Sequence, residues 1–416
     1  GGTPPQLVRF ERTTNQAGLM AWQSGNEIRT GSKIEFENTG AAANNKANME
    51  WYACQSILTN YGATGGDASD NHSVSFTNYG KGDMIWHANA NSIVTRSKTE
   101  FTNKSDGNMT WYAGQHIKTR LGTNDPSSQL TEGIIFKQEG TGRTVWWAND
   151  GNIETYNPVH FNWLNAQSDA TSIVWWAGTD IEIGNNYSTS IPEQSRAKFE
   201  TAKNDTILLK TRDGHILTNS QVDIERSNTG AALTKLWAGC QKYTLNNNID
   251  IENVFNYTEP SGKGQAAGAL VHLYAENDIL SNQDAITSGC DARKAPITFT
   301  IPQNSKTITK WEAERNINTD GRVDFLYGDA DHAGPLTWLS RAGYMQTERP
   351  VTIAYKSDST ISFLAEDWRH DKWSKPQVET NANASGRRGN IHFFDSVDIK
   401  RDNQNGGLTQ IKAENH

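Results

Sequence analysis

Residues Met49 to Thr59 read MEWYACQSILT. An apolar residue is followed by Trp two places on, Ala two further, Ile after a four-residue interval and Thr two beyond that. The phrase returns as Met109, Trp111, Ala113, Ile117, Thr119, then as Ile173, Trp175, Ala177, Ile181, and again as Trp311, Ala313, Ile317, Thr319. One residue longer, it appears as Met84, Trp86, Ala88, Ile93, Thr95 and as Trp146, Ala148, Ile153, Thr155. Looser copies begin at Met20, Ile207, Val271, Leu336 and Ile361. Self-similarity at a period of roughly 25–38 residues marks a solenoid, in which each unit packs only on its neighbours.

Each copy has a companion upstream. Ile34-Glu35-Phe36-Glu37-Asn38 precedes the Met49 copy, Val74-Ser75-Phe76-Thr77-Asn78 the Met84 copy, and Thr99-Glu100-Phe101-Thr102-Asn103 the Met109 copy. All these segments alternate apolar and polar residues, the period of a strand with one buried face. No sustained helical stripe interrupts them, so helix is expected to be rare. A unit reads strand, Asn/Gly turn, strand, corner, short strand around Ile-x-Thr. The expected fold is all-β, a single-stranded parallel β-helix of about 12–13 rungs stacked about 4.8 Å apart. It is read as one continuous domain over residues 1–416, with rungs from about residue 7 to 400 and a polar C-terminal tail at 401–416.

Phase fixes direction. If Met49, Trp51 and Ala53 face the core, Glu50, Tyr52 and Cys54 face out. Asn38, Asn78 and Asn103 then point inward at the turn, where stacked amides would bond one another and the corner backbone. The residue after the core Trp is repeatedly aromatic: Tyr52, Tyr112, Trp147, Trp176, Tyr274 and Phe394, with His87 in the same place. An outward column of such rings at rung spacing suits stacking on sugars or anchoring a protein partner. The candidate binding residues are therefore Tyr52, His87, Tyr112, Trp147, Trp176 and Tyr274; a covering segment over them is the competing reading. The Gly/Ser/Asn-rich stretches Tyr61–Asn71, Leu121–Gln129, Asn185–Gln194 and Glu259–Gly268 are expected to project as loops.

Other chemistry is weaker. The pairs Asp180/Glu182 and Asp250/Glu252 and the run Asp329-Ala330-Asp331-His332 have spacings compatible with glycoside hydrolysis. With 47 acidic residues in the chain such pairs arise by chance, and solvated faces explain them. Asp329 and Asp331 lack the glycine-aspartate array of a calcium solenoid, Asp213-Gly214-His215 reads as a turn, and Arg369–Gly389 as an exposed basic loop. No catalytic residue, metal site or cofactor is assigned. Sequons at Asn71, Asn103, Asn108, Asn186, Asn204, Asn256 and Asn383 are expected by chance in an Asn/Thr-rich chain. The net charge of −8, with both signs interspersed, gives no basic footprint for nucleic acid. The three cysteines Cys54, Cys240 and Cys290 are no disulfide framework. No apolar window of about 18 residues is present to span a membrane. Gly1-Gly2-Thr3 is read as the start of a processed protein or excised segment.

Ser172–Ile183 (SIVWWAGTDIEI) and Leu270–Ile286 (LVHLYAENDILSNQDAI) resemble the rungs of filamentous-haemagglutinin-like adhesins of the two-partner-secretion type. The pattern runs from Leu7 to about Ile399. The central Trp departs from that family's usual Leu or Ile, and there is no Asn-Pro-Asn-Gly-Ile secretion motif. The resemblance implies an extracellular or cell-surface adhesin or structural fibre segment, binding glycans, host or neighbouring-cell proteins, or its own copies end to end or laterally. The alternative is a polysaccharide-active β-helix enzyme, a lyase, hydrolase or tailspike.

Overall fold

The computed structural model describes residues 8–12, 18–30, 34–39, 47–60, 74–96, 99–104, 106–120, 133–156, 158–163, 172–184, 197–201, 206–218, 222–226, 233–239, 249–251, 255–258, 270–275, 277–281, 297–301, 308–319, 322–327, 335–347, 350–355, 360–365, 391–393, 397–401 and 408–413. The chain divides into two compact units. One comprises Gly1–Arg212 and Thr218–Asn228, the other Asp213–Leu217 and Thr229–His416.

Each unit is a parallel β-helix with three sheets, and a strand pairs with the strand three places later in the chain. In the first unit the first sheet runs Val8–Arg12, Ile34–Asn38, Val74–Asn78, Thr99–Asn103, Ile134–Gln138, Val159–Trp163, Ala197–Thr201 and Val222–Arg226. The second runs Gly18–Ser24, Ala47–Ala53, Met84–Ala88, Met109–Ala113, Thr144–Ala148, Ser172–Ala177 and Thr206–Thr211, and the third from Ile28–Arg29 to Ile181–Ile183. In the second unit the second sheet runs Leu233–Ala238, Leu270–Ala275, Ile308–Ala313, Leu336–Ser340, Ile361–Ala365 and Thr409–Ala413. That last strand lies within the stretch expected to be a polar tail. Its residues pair in register with Ile361–Ala365, Ile411 standing on Phe363. Its weak apolar alternation is completed only by the neighbour beneath it.

Register is like on like. Trp22, Trp51, Trp86, Trp111, Trp146 and Trp175 succeed one another as Cα partners in the first unit. Their indoles stack, Trp51 on Trp86 at 4.6 Å and 6° and Trp86 on Trp111 at 4.7 Å and 3°. A second stack of Phe rings rises beside them, Phe76 on Phe101 at 4.9 Å and 4°. The two columns meet edge to face, as in Phe76–Trp86 at 5.2 Å and 90°. In the second unit Trp311 stacks on Trp338 at 4.7 Å and Phe299 on Phe325 at 5.0 Å. The indole Nε1 groups of Trp51, Trp86, Trp146 and Trp175 are buried without a hydrogen-bond acceptor. An unmet donor costs about 1–3 kcal/mol. Burying roughly 200 Å² of indole at about 25 cal/mol per Å² stabilises by about 5 kcal/mol, so the stack wins.

Polar side chains close the corners. Asn38, Asn78 and Asn103 are fully buried, as their phase requires. The Asn78 amide donates to the Gly82 carbonyl at 2.7 Å and the Asn103 amide to that of Gly107. A Cβ on Gly107 would lie 1.8 Å from the Gly82 carbonyl oxygen, and one on Gly142 equally close to that of Gly107. A second polar column climbs beside it. Asn48 Oδ1 accepts from the Asp83 N–H, Asp83 from that of Asn108, and Asn108 from that of Arg143, at 3.0, 2.7 and 2.9 Å. Of the sequon asparagines, Asn103 is fully buried, and the amide of the half-buried Asn108 donates to Asp83 at 3.2 Å. On the third sheet the inward Thr119 and Thr155 hydroxyls accept the backbone N–H groups of Tyr156 and Gly184 on the next rung.

Trp111→Ala is expected to lower unfolding free energy by about 3–5 kcal/mol, because the cavity would sit between two stacked neighbours. Gly107→Ala is expected to cost about 1–3 kcal/mol or more, since the methyl meets backbone and not a movable side chain. Urea unfolding followed by circular dichroism measures both; a loss under about 0.5 kcal/mol in either would contradict the packing account.

Candidate functional site

The register that stacks the core also lines up the outward side chains of the second sheet. In the first unit one outward column reads Gln23, Tyr52, His87, Tyr112, Trp147, Trp176, Lys210. The adjacent column reads Ala21, Glu50, Ile85, Thr110, Val145, Val174, Leu208. Between Glu50 at one end and Lys210 at the other, no Asp, Glu, Lys or Arg occupies an outward position on these strands. Burial pushes the His87 pKa down, so its imidazole is neutral at neutral pH. Burial, with a smaller contribution from the Glu50 charge, raises that of the Tyr52 phenol and keeps its hydroxyl protonated.

The rings are half-buried except Trp147, which is 37% exposed. Tyr52 and His87 lie 5.4 Å apart at 44°, His87 and Tyr112 4.6 Å apart at 61°. Trp147 and Trp176 are stacked face to face at 4.2 Å and 21°. The Arg212 guanidinium lies 5.6 Å from the Trp176 ring centre. Tyr112 and Trp147 are register partners but make no ring contact. The core stack loosens at the same step, where Trp111 and Trp146 are 6.1 Å apart and tilted by 60°. The column is therefore two ring clusters with a break between them. Stacked rungs turn ring edges outward, so the flat sugar platform expected from the sequence is restricted to a ring whose face has no neighbour.

Tyr274 belongs to the second unit. Its partner there is Trp237, 5.2 Å away, whose ring carries the Lys235 ammonium 3.6 Å above its centre. Trp237 escaped the sequence reading because its copy has Thr234 in place of the first apolar residue as well as Leu236 in place of the Trp; aligning LTKLWA with LVHLYA finds it. The next outward residue in this column is Glu312, a carboxylate. It is almost wholly buried among His272 Nε2 at 3.2 Å, Lys310 Nζ at 2.6 Å and Arg341 Nε at 2.8 Å. Burial alone would raise the Glu312 pKa, but the hydrogen bonds from His272, Lys310 and Arg341 outweigh it and hold it far below the usual carboxylate range. Glu154 in the first unit follows the same pattern, accepting from Lys118 Nζ at 2.8 Å and the Tyr156 hydroxyl at 2.5 Å, and its pKa is lowered.

The candidate catalytic pairs fare differently. Glu182 accepts from the Asn152 amide at 3.3 Å while the Asp180 N–H donates to Asn152 Oδ1 at 3.2 Å, so this pair is knitted to the rung beneath. Asp213-Gly214 forms a bend. The side chains of Asp250, Glu252 and Asn256, the run Asp329 to His332, Phe394, the four expected loops, Cys240, Cys290, Arg369–Gly389 and the sequons at Asn71, Asn186, Asn204 and Asn383 lie outside the described residues. Cys54 is exposed and unpaired. Among the described residues no group of three His, Cys, Asp or Glu side chains could hold a metal ion, and no helix is long and apolar enough to cross a membrane.

A carboxyl with a depressed folded-state pKa adds stability above the ordinary Glu range of about 4.3, and that stability is lost as pH falls below it. Unfolding midpoints should therefore drop on acidification through the carboxylate range. Glu312→Gln is expected to lower stability at neutral pH and to flatten that acid decline. A variant with the parent's full acid slope would refute the role of the Glu312 cluster.

Comparison with known protein families, with curated proteins and with solved structures finds no match for this chain.

Proposed function

We propose that this protein is a non-enzymatic β-helical binding protein of the adhesin or surface-fibre class, secreted or displayed at a cell surface. The observation that carries the reading is the outward aromatic column of the first unit, whose strands place no Asp, Glu, Lys or Arg outward from Ile85 to Trp176. A solvated sheet face normally alternates charge, because apolar and aromatic groups left in water forgo burial worth about 25 cal/mol per Å². Four consecutive rungs of His, Tyr and Trp beside Ile, Thr and Val, continued by Tyr52 beside Glu50, have the composition of a surface that is covered in use. The buried carboxylates Glu154 and Glu312 are spent on holding cations of neighbouring rungs. Such paired groups, kept ionised, serve architecture better than proton transfer. The extracellular setting and the choice among glycans, surface proteins and further copies as partners rest on the resemblance to filamentous-haemagglutinin-like rungs.

The immobilised chain is expected to retain a surface ligand, from glycan and cell-surface protein panels, and to release it chemically unchanged. Eluted glycan analysed by mass spectrometry and reducing-end assay is the check. New reducing or unsaturated ends would overturn the reading in favour of a polysaccharide-active enzyme.

A further inference from the structure

The break in the aromatic column singles out one ring. Trp147 is stacked by Trp176 on one face only, and Trp176 in turn has Arg212 near its ring. Arg212 is also engaged with the Asn149 carbonyl at 3.2 Å and the Asp150 carboxylate at 3.5 Å. On the other side of Trp147, toward the rung of Tyr112, no ring or cation of the described residues lies against it, and it is the most exposed ring of the column. Tyr112 is occupied with His87 instead. The Thr110 and Tyr112 hydroxyls stand on this neighbouring rung, partly exposed.

We infer that the step between Tyr112 and Trp147 is a subsite for one ring of a neutral glycan, stacked on the uncovered face of Trp147 and hydrogen-bonded by the hydroxyls of Tyr112 and Thr110. The assignment rests on the binding reading above and names its ligand class. Three considerations select it. The first is size. Five rungs at about 4.8 Å and five residues at about 3.3 Å make a patch of roughly 24 by 16 Å, about 400 Å². A standard protein interface takes about 800 Å² from each partner, so a second copy or a folded protein is too large for this patch alone.

The second is hydrogen bonding. A peptide strand binds a sheet through its edge, whereas the N–H and C=O groups of this face are already in the ladder. A sugar brings its own hydroxyls, each donor and acceptor, to meet tyrosine and threonine hydroxyls. Its C–H-rich face carries partial positive charge that suits the negative face of an indole. The third is charge. An anionic sugar seeks an Arg or Lys within hydrogen-bond reach. Among the described residues the cation in contact with the Trp147–Trp176 pair is Arg212, near Trp176 and held there by Asn149 and Asp150.

The test is a glycan array followed by calorimetric titration of the full chain, with neutral oligosaccharides, polyuronates, sulfated oligosaccharides and zwitterionic lipid vesicles. The expected result is binding of a neutral oligosaccharide, weakened about tenfold or more by Trp147→Ala, as for truncating a central aromatic anchor. Trp147→Phe, which keeps a ring face, should stay within a few-fold of the parent and guards against a folding defect. Trp237→Ala, in the second unit, should leave the affinity unchanged. Equal neutral-glycan affinity in Trp147→Ala and the parent overturns the subsite and leaves the adhesin reading standing. Retention of only anionic glycans or vesicles overturns the neutral-sugar assignment. A chain that retains no glycan, vesicle, surface protein or second copy overturns both.

Discussion

Each unit depends on one constraint: side chains of like position must stand on one another along a parallel ladder, and most inward ones are apolar. Hydrogen bonds fix strand spacing near 4.8 Å, a distance at which flat rings stack with little void. Trp on Trp and Phe on Phe exploit it, and the edge-to-face contact between the two columns locks both. A one-residue slip would turn every indole to solvent, so register is set by the core before any loop contributes. The corners obey the same rule with polar groups, an Asn amide or a Thr hydroxyl bonding backbone that the turn would otherwise leave unpaired.

The constraint has a cost on the outside. In-register stacking places like charges together, as with Glu11 and Glu37, unless an opposite charge intervenes. Arg9 answers that pair, Lys137 answers Glu100 at 2.7 Å, and Lys198 answers Glu225 at 3.0 Å. The outward second sheet of the first unit follows a different course, replacing charge by aromatic and β-branched groups from Ile85 to Trp176. The difference between these faces is what sets the aromatic column apart, since the same fold carries charged columns elsewhere.

Much of this was legible in the chain. The phrase Met49–Thr59 predicts an inward Met, Trp and Ala, an outward Tyr52 and a short Ile-x-Thr strand, and each lies where its phase puts it. Buried Asn38, Asn78 and Asn103 follow from the same count. Trp237 is hidden from a sequence reading, because Thr234 and Leu236 replace both the first apolar residue and the Trp of the repeat. The strand Thr409–Ala413 was read as tail, since Thr, Gln and Lys dominate it and its neighbour supplies the pattern.

By itself the sequence determined the all-β parallel helix, its phase and the residues that form the outward column, because a period-two alternation repeated at a fixed interval admits only one way of burying its apolar face. Tertiary structure alone decided how the rings in that column meet. Pairwise stacking, the loosened step between Tyr112 and Trp147, the guanidinium near Trp176 and the bonds of His272 and Arg341 to Glu312 all depend on side-chain geometry between residues 29 to 40 apart in the chain, which no local pattern encodes.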